Sequence, residues 1–393
     1  MKFSVLAMLG VALRVALWWA VPHMLAGDAW HNDQITLNLI AGHGFSHSTM
    51  APWYPDALRS PAYNFLMLLP CYLFYGAGLV PFAQMALDVA TGWLLYRMVA
   101  EDRGERAALW ATGLFFLAPY EAIFSTLELT ETLTTFLIAW WWWALRRNDY
   151  GAAFLGGLLI LCRPVLGPLA VLAPCLARSR RPWPARLAIY VLVPLAVISP
   201  WMVRNELSFG RPTFGSPASL GVSLYLGAVM DDNVHLTDEG QAEMAMDGQQ
   251  WNRRSNMPAA MAVALDDRLK AIALAAMRRH PGAWGVHVVR QAIRLWWAAD
   301  DGVADYAPDV PMSRLVALAT VLPWCQRALL LLALFGLWRG PRQWAVVPLI
   351  FTLCYAPIHV EPRFAVPAET ALCALAAQAV TKKGEPVVRP KEH

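Results

Sequence analysis

Six ionisable residues stand at the margins of long apolar runs: Asp28, Arg59, Glu131, Arg163, Arg204 and Arg363. A charged side chain at mid-bilayer costs about 2.5–3.5 kcal/mol on insertion scales, so such groups usually face a polar cavity. Carboxylates among arginines suit one kind of chemistry. The guanidiniums hold a phosphate-bearing anion through charge-assisted hydrogen bonds, and an acid removes a proton nearby. Each residue also has a plainer reading. Asp28 caps a helix over 29–41 that Gly42 or Gly44 would end. Asp33 is a solvated helix residue, Glu121 and Glu128 are exposed loop acids, and Glu131 pairs with an arginine for structure. The arginines snorkel to lipid headgroups. What separates the two readings is whether the six meet on one face of a membrane.

The elements that must position them are apolar helices. Of 393 residues, 58% are hydrophobic and only 15% charged, with a mean hydropathy of +0.40. Soluble domains carry about a quarter charged residues, so this is the composition of a multi-pass membrane protein. The 19 tryptophans, many beside apolar runs, fit the same class. The net charge of +4 is small and concentrated in short loops, which speaks to orientation in a membrane and not to nucleic acid. No Rossmann, P-loop or zinc-finger spacing occurs. Six scattered cysteines (Cys71, Cys162, Cys175, Cys325, Cys354, Cys373) lie in apolar stretches without CxxC spacing and read as packing residues. The N-terminal run imitates a secretory signal, but Arg14 interrupts it and its length suits an uncleaved first helix.

Ten segments read as spans: 4–25, 81–100, 107–122, 131–145, 150–162, 164–178, 185–203, 313–338, 343–358 and 364–381. Basic loops should be cytoplasmic, and Arg146-Arg147, Arg178–Arg186, Arg339/Arg342 and Lys382-Lys383 are the markers. If 61–77 crossed the bilayer, parity would put the first two clusters outside. If it lies along the outer leaflet, all fall inside; Pro61, Pro70 and its shortness favour that choice. Both termini are then cytoplasmic and the six charged residues share the outer face. The expected organisation is a catalytic membrane module over 1–203 with its first outer loop at 26–80, and an extracytoplasmic segment at 204–312. C-terminal spans follow at 313–381, then a cytoplasmic tail at 382–393. The run Trp140–Trp143 covers every face of a helix and reads as an interfacial belt.

The motifs resemble, in order and over nearly the whole chain, the GT-C superfamily of membrane glycosyltransferases. The likeness is to the bacterial branch related to protein O-mannosyltransferases and lipid A aminoarabinose transferases. An aspartate after the first span, Asp28, precedes TLNLIAGHGFS at 36–46, with Asn32 where a tyrosine is usual. RSPAYNF at 59–65, with Gly76 beyond it, is similar to an R-x-P-x-Y-P pattern, although Asn64 replaces the second proline. Thr130-Glu131, GLLILCRP at 157–164, PWMVRNELSFGRP from 200, LKAIALAAMRRHPGAW at 269–284 and EPRFAVP at 361–367 complete the set.

The resemblance implies an all-α bundle of about ten transmembrane helices with surface helices in the first outer loop. It implies transfer of a sugar from a polyprenyl phosphate to an extracytoplasmic acceptor hydroxyl on a lipid, glycan or protein, at a bacterial inner membrane. Asp28 would be the general base and Glu131 its partner or a cation ligand. Arg59, Tyr63, Arg163, Arg204, Asn205 and Arg363 would bind substrate. No cofactor is demanded, since arginines supply positive charge, though a divalent cation is compatible. The rival classes are a transporter or lipid-linked-sugar flippase and a structural envelope subunit. The absence of an internal repeat and the one-sided charges weigh against the former. The acids are unexplained by the latter.

Overall fold

The structure, a computed structural model, describes residues 2–20, 27–230, 257–298 and 312–381; helices joined by loops make it up, with no strand among the described residues. The tail at 382–393, with Lys382-Lys383, lies outside the described residues, as do 21–26 and parts of the 204–312 segment. In chain order the helices are α1 (Phe3–Ala20), α2 (Gly27–Ile40), α3 (Pro61–Phe74), α4 (Val80–Arg103), α5 (Glu105–Leu117) and α6 (Pro119–Phe124). Next come α7 (Glu131–Ala144), α8 (Asp149–Cys162), α9 (Gly167–Leu176), α10 (Trp183–Phe209) and α11 (Leu220–Tyr225). The chain continues with α12 (Ala259–Arg279), α13 (Pro281–Trp297), α14 (Met312–Arg339), α15 (Val346–Tyr355) and α16 (Glu369–Val380).

Among the described residues four segments are long and apolar enough to cross a membrane: Phe3–Ala20, Ala77–Arg103, Trp183–Phe209 and Val321–Arg339. The other six proposed spans form shorter helices, and Pro61–Phe74 is likewise a short apolar helix. Burial follows sequence. Most exposed side chains of α10, among them Leu192, Val203 and Leu207, are apolar, as a lipid-facing surface requires. The bundle interior is closed by α4, α5, α14 and α16, where small residues let backbones approach. A Cβ added at Gly336 of α14 would stand 1.8 Å from the Leu375 carbonyl oxygen of α16.

The basic loops gather at one end. Arg146 pairs with both oxygens of Asp102 at 3.0 and 2.9 Å, and Arg178 approaches the same carboxylate at 3.6 Å. Gln343 donates to it at 2.8 Å. Three separate parts of the chain therefore share a single acidic anchor at the end of α4.

Prolines punctuate the opposite end. A residue before proline is driven out of the α region by the ring. Ser60 (ψ 144°), Arg163 (ψ 98°) and Glu361 (ψ 135°) are accordingly extended before Pro61, Pro164 and Pro362. Each proline opens a helical turn, where its missing N–H is harmless. Arg59, Arg163 and Arg363 thus all stand within two residues of a stiffened helix start.

Beyond the bundle, α11 packs on α12 through Val222, Tyr225, Leu269, Ala273 and Met277. Asp266 of α12 accepts the backbone N–H groups of Gly221 and Val222, both at 3.0 Å. Gly221 is required there, because an added Cβ would meet the Asp266 carbonyl oxygen at 1.9 Å.

Candidate active site

Asp28 lies in the first turn of α2, where the helix dipole favours a negative charge. The helix ends as expected, with Gly42 at φ 79°. Asp28 does more than sit at a helix end. Its Oδ1 accepts from Arg59 Nη2 at 2.6 Å and its Oδ2 from Arg363 Nη2 at 2.9 Å. Arg363 also lies 3.9 Å from Glu131 Oε1, and Arg163 bonds the same oxygen at 2.5 Å. Arg163 further donates to the Thr130 hydroxyl at 3.0 Å and the Tyr355 hydroxyl at 3.1 Å. The result is an alternating row: Arg59, Asp28, Arg363, Glu131, Arg163. Alternation lets five charges share a partly buried site, each facing opposite neighbours.

The row borders a cavity of about 760 Å³. Its lining includes Asp28, Arg59, Arg163 and Tyr355, most of the 211–220 loop, and Asp267 and Lys270 of α12. The Asp28 side chain remains 35% exposed, so it is reachable from the cavity. Burial raises its pKa, but the Arg59 and Arg363 guanidiniums outweigh that and hold the carboxyl well below the usual range. It is fully ionised and a weak base in this state. His31, one turn along the same face, meets Arg59 Nη2 at 2.7 Å. Burial, then the Arg59 charge, pushes its pKa down to about 4. A neutral imidazole beside the guanidinium follows.

The other predicted residues divide. Arg204 donates to the carbonyl oxygens of Phe45 at 3.3 Å and Asp56 at 2.9 Å. Asn205 donates to the carbonyl oxygens of Thr213 and Gly215, both at 2.9 Å. These two side chains fasten the loops that form the cavity walls and do not line the cavity. Tyr63 is wholly buried and donates to Gln84 at 3.0 Å. Gln84 in turn holds the carbonyls of Ser125 and Leu127 at 3.0 and 2.7 Å, so Tyr63 braces the loop before Glu131 from below. The plain readings also change. Glu121 is not an exposed loop acid but fully buried. Asp33 and Glu128 share the Tyr72 hydroxyl, and burial followed by the Asp33 charge raises Glu128 to about 7.

Several contributors were missed. Asp56 caps the Leu58 and Arg59 N–H groups at 3.0 and 2.6 Å and pairs with buried His47. Burial opposes its ionisation, but His47 and the Arg59 N–H bond lower it to about 2. This Asx-type turn aims Arg59 at Asp28, and the sequence WYPDALRSP contains its signal. His31 was equally findable, at i+3 from Asp28. Tyr355 carries no local signal. Among the described residues no group of three or more His, Cys, Asp or Glu is arranged to hold a metal ion.

The chain shares its helical fold with a solved oligosaccharyltransferase. It is similar to the oligosaccharyltransferase AglB from Archaeoglobus fulgidus, solved with an inhibitory peptide and a dolichol-phosphate. That likeness has a TM-score of 0.50 at 15% identity, over 96% of this chain and 49% of that one. ArnT from Cupriavidus metallidurans, solved with undecaprenyl phosphate, aligns at 17% identity with a TM-score of 0.42, over 95% of this chain and 77% of that one. No family model matches the chain, and no curated protein matches it in sequence.

Proposed function

We propose that the protein transfers a sugar from a polyprenyl-phosphate donor to an acceptor hydroxyl on the extracytoplasmic face of a bacterial inner membrane. The observation that carries this reading is Asp28 bridging Arg59 and Arg363 at the edge of the 760 Å³ cavity. Three arginines on proline-stiffened turns form a preorganised anion site. The neighbour solved with a dolichol-phosphate supports the choice of anion.

The donor phosphate competes with Asp28 for the two guanidiniums. Its binding draws positive charge away from the carboxylate and raises its basicity. Asp28 then accepts the acceptor hydroxyl proton as that oxygen attacks the anomeric carbon. The bond from the anomeric carbon to the phosphate oxygen breaks, and polyprenyl phosphate leaves with its charge held by Arg59, Arg163 and Arg363. Glu131 keeps Arg163 and Arg363 in register. In this sequence of events the base is armed only once donor is bound, which protects the donor from water.

The test is a purified Asp28→Asn variant in nanodiscs with a radiolabelled polyprenyl-phosphate sugar and a cell-envelope extract as acceptor source. Loss of label transfer with retained donor binding supports the proposal. Near-normal transfer overturns the role of Asp28. Movement of intact donor across the bilayer, with no new glycosidic bond, would make the protein a flippase.

A further inference from the structure

Arg14 breaks the apolar run of α1 and is only 1% exposed. Its Nε donates to Asp88 Oδ2 of α4 at 2.6 Å, and its Nη1 to the carbonyl oxygens of Gly10 at 3.1 Å and Phe116 at 2.9 Å. The rings of Phe115 and Phe116 lie 5.9 Å from its guanidinium carbon. Two further acids complete the group: Glu121 of α6 and Glu369 at the start of α16, both wholly buried. Glu121 lies beside Asp88 and Glu369, Ser125 faces Asp88, and Cys373 lies beside both glutamates.

One positive charge therefore meets three carboxyls from three helices. Both oxygens of Glu121, both of Glu369 and Oδ1 of Asp88 have no hydrogen-bond partner. Arg14 neutralises Asp88, which it contacts directly. Two further carboxylates would be uncompensated in a dry interior, where an isolated charge is far costlier than a bound proton. Facing acceptors without a donor also need one, and a protonated carboxyl supplies it. No set of ligands for a metal ion is present among the described residues.

We infer that Glu121 and Glu369 form a proton-binding site inside the bundle, each holding its proton at neutral pH while Asp88 stays ionised against Arg14. The site ties two segments together. α6 leads into the loop that ends at Thr130, just before Glu131 opens α7, and Glu369 directly follows the Pro362–Ala368 turn that carries Arg363. Loss of the protons sets like charges against each other beneath that pair. This inference concerns charge and stability and does not depend on the proposed reaction.

A buried neutral acid binds a proton in the folded chain that the unfolded chain has released above the ordinary glutamate range. Its stabilising effect is fully present in acid and is lost as pH rises. The experiment uses the full-length protein in detergent, with Glu121→Gln, Glu369→Gln, the double variant and Asp88→Asn. Glutamine copies a protonated glutamate in shape and hydrogen bonding. Each Gln variant should fold with a melting temperature within a few degrees of the parent, and the double variant should lose part of the parent's decline at alkaline pH. Asp88→Asn should be severely destabilised, since it strands Arg14. Difference infrared spectra of the parent should show a protonated-carboxyl carbonyl band that weakens in each Gln variant. Gln variants as damaged as Asp88→Asn, or an unchanged infrared band, would overturn the inference. So would a melting temperature that rises with sodium but not with choline, which would make the occupant a metal cation.

Discussion

Asp28 and Arg363 are separated by 335 positions in sequence and joined by a 2.9 Å hydrogen bond. That bond closes the row of alternating charges, because Arg363 also faces Glu131 and, through it, Arg163. The first and last parts of the chain thereby define a single site.

Asp28→Asn keeps size and helix-end chemistry while removing basicity. Transfer should fall by about 10²- to 10⁴-fold, the range for a lost general base. Affinity for a short-chain polyprenyl phosphate should hold or improve, since the variant no longer competes for Arg59 and Arg363. Titration in nanodiscs measures it. A variant that fails to bind would assign Asp28 to donor recognition.

Arg59→Ala and Arg363→Ala should each weaken polyprenyl phosphate binding about 10- to 100-fold, from the loss of charge-assisted bonds. Lysine should restore little, because an ammonium lacks the planar fork that spans two oxygens. If both alanine variants bind like the parent, the phosphate site moves toward Arg163.

Arg204 and Asn205 hold backbone carbonyls in place. Asn205→Ala leaves the Thr213 and Gly215 carbonyls short of a donor and should cost about 1–3 kcal/mol of stability. Its melting temperature should drop while lipid phosphate binding stays close to normal. Unchanged stability with lost binding would instead place Asn205 in contact with substrate.

The histidine beside Arg59 gives a pH signature. His31 titrates near 4 when folded and near 6.5 when exposed, so between those values the unfolded chain binds a proton that the folded chain does not. Stability should rise with pH across that window, and His31→Asn should flatten the rise. Asp28 and Asp56 are shifted below the ordinary carboxyl range. Their contribution should be present above that range and be lost on acidification, for Asp56 through about pH 2. Thermal unfolding as a function of pH tests all three.

Gly221→Ala should separate α11 from α12, since the new methyl overlaps the Asp266 backbone. Limited proteolysis around 211–225 should accelerate, with lipid phosphate binding less affected than transfer.

By itself the sequence determined the features that depend on neighbours a few residues away. Apolar runs prescribed an all-helical membrane protein. Arg-Ser-Pro at 59–61, Arg-Pro at 163–164 and Pro-Arg at 362–363 marked stiff turns carrying cations, since a proline ring acts on its own and the preceding residue. Asp28 and Glu131 were legible as charges misplaced beside apolar helices, and the order of motifs pointed to the fold. Only the tertiary structure decided which charges are partners. Arg204, like Arg163 a cation at the margin of an apolar run, turned to the Phe45 and Asp56 carbonyls of the neighbouring loop. Tyr63 entered the core to brace Gln84, and Glu121 joined Arg14, Asp88 and Glu369 in the bundle. Hydropathy and turn chemistry say where a helix runs. Which face it presents, and to which distant residue, is set by packing among elements far apart in the chain, and those contacts leave no local trace.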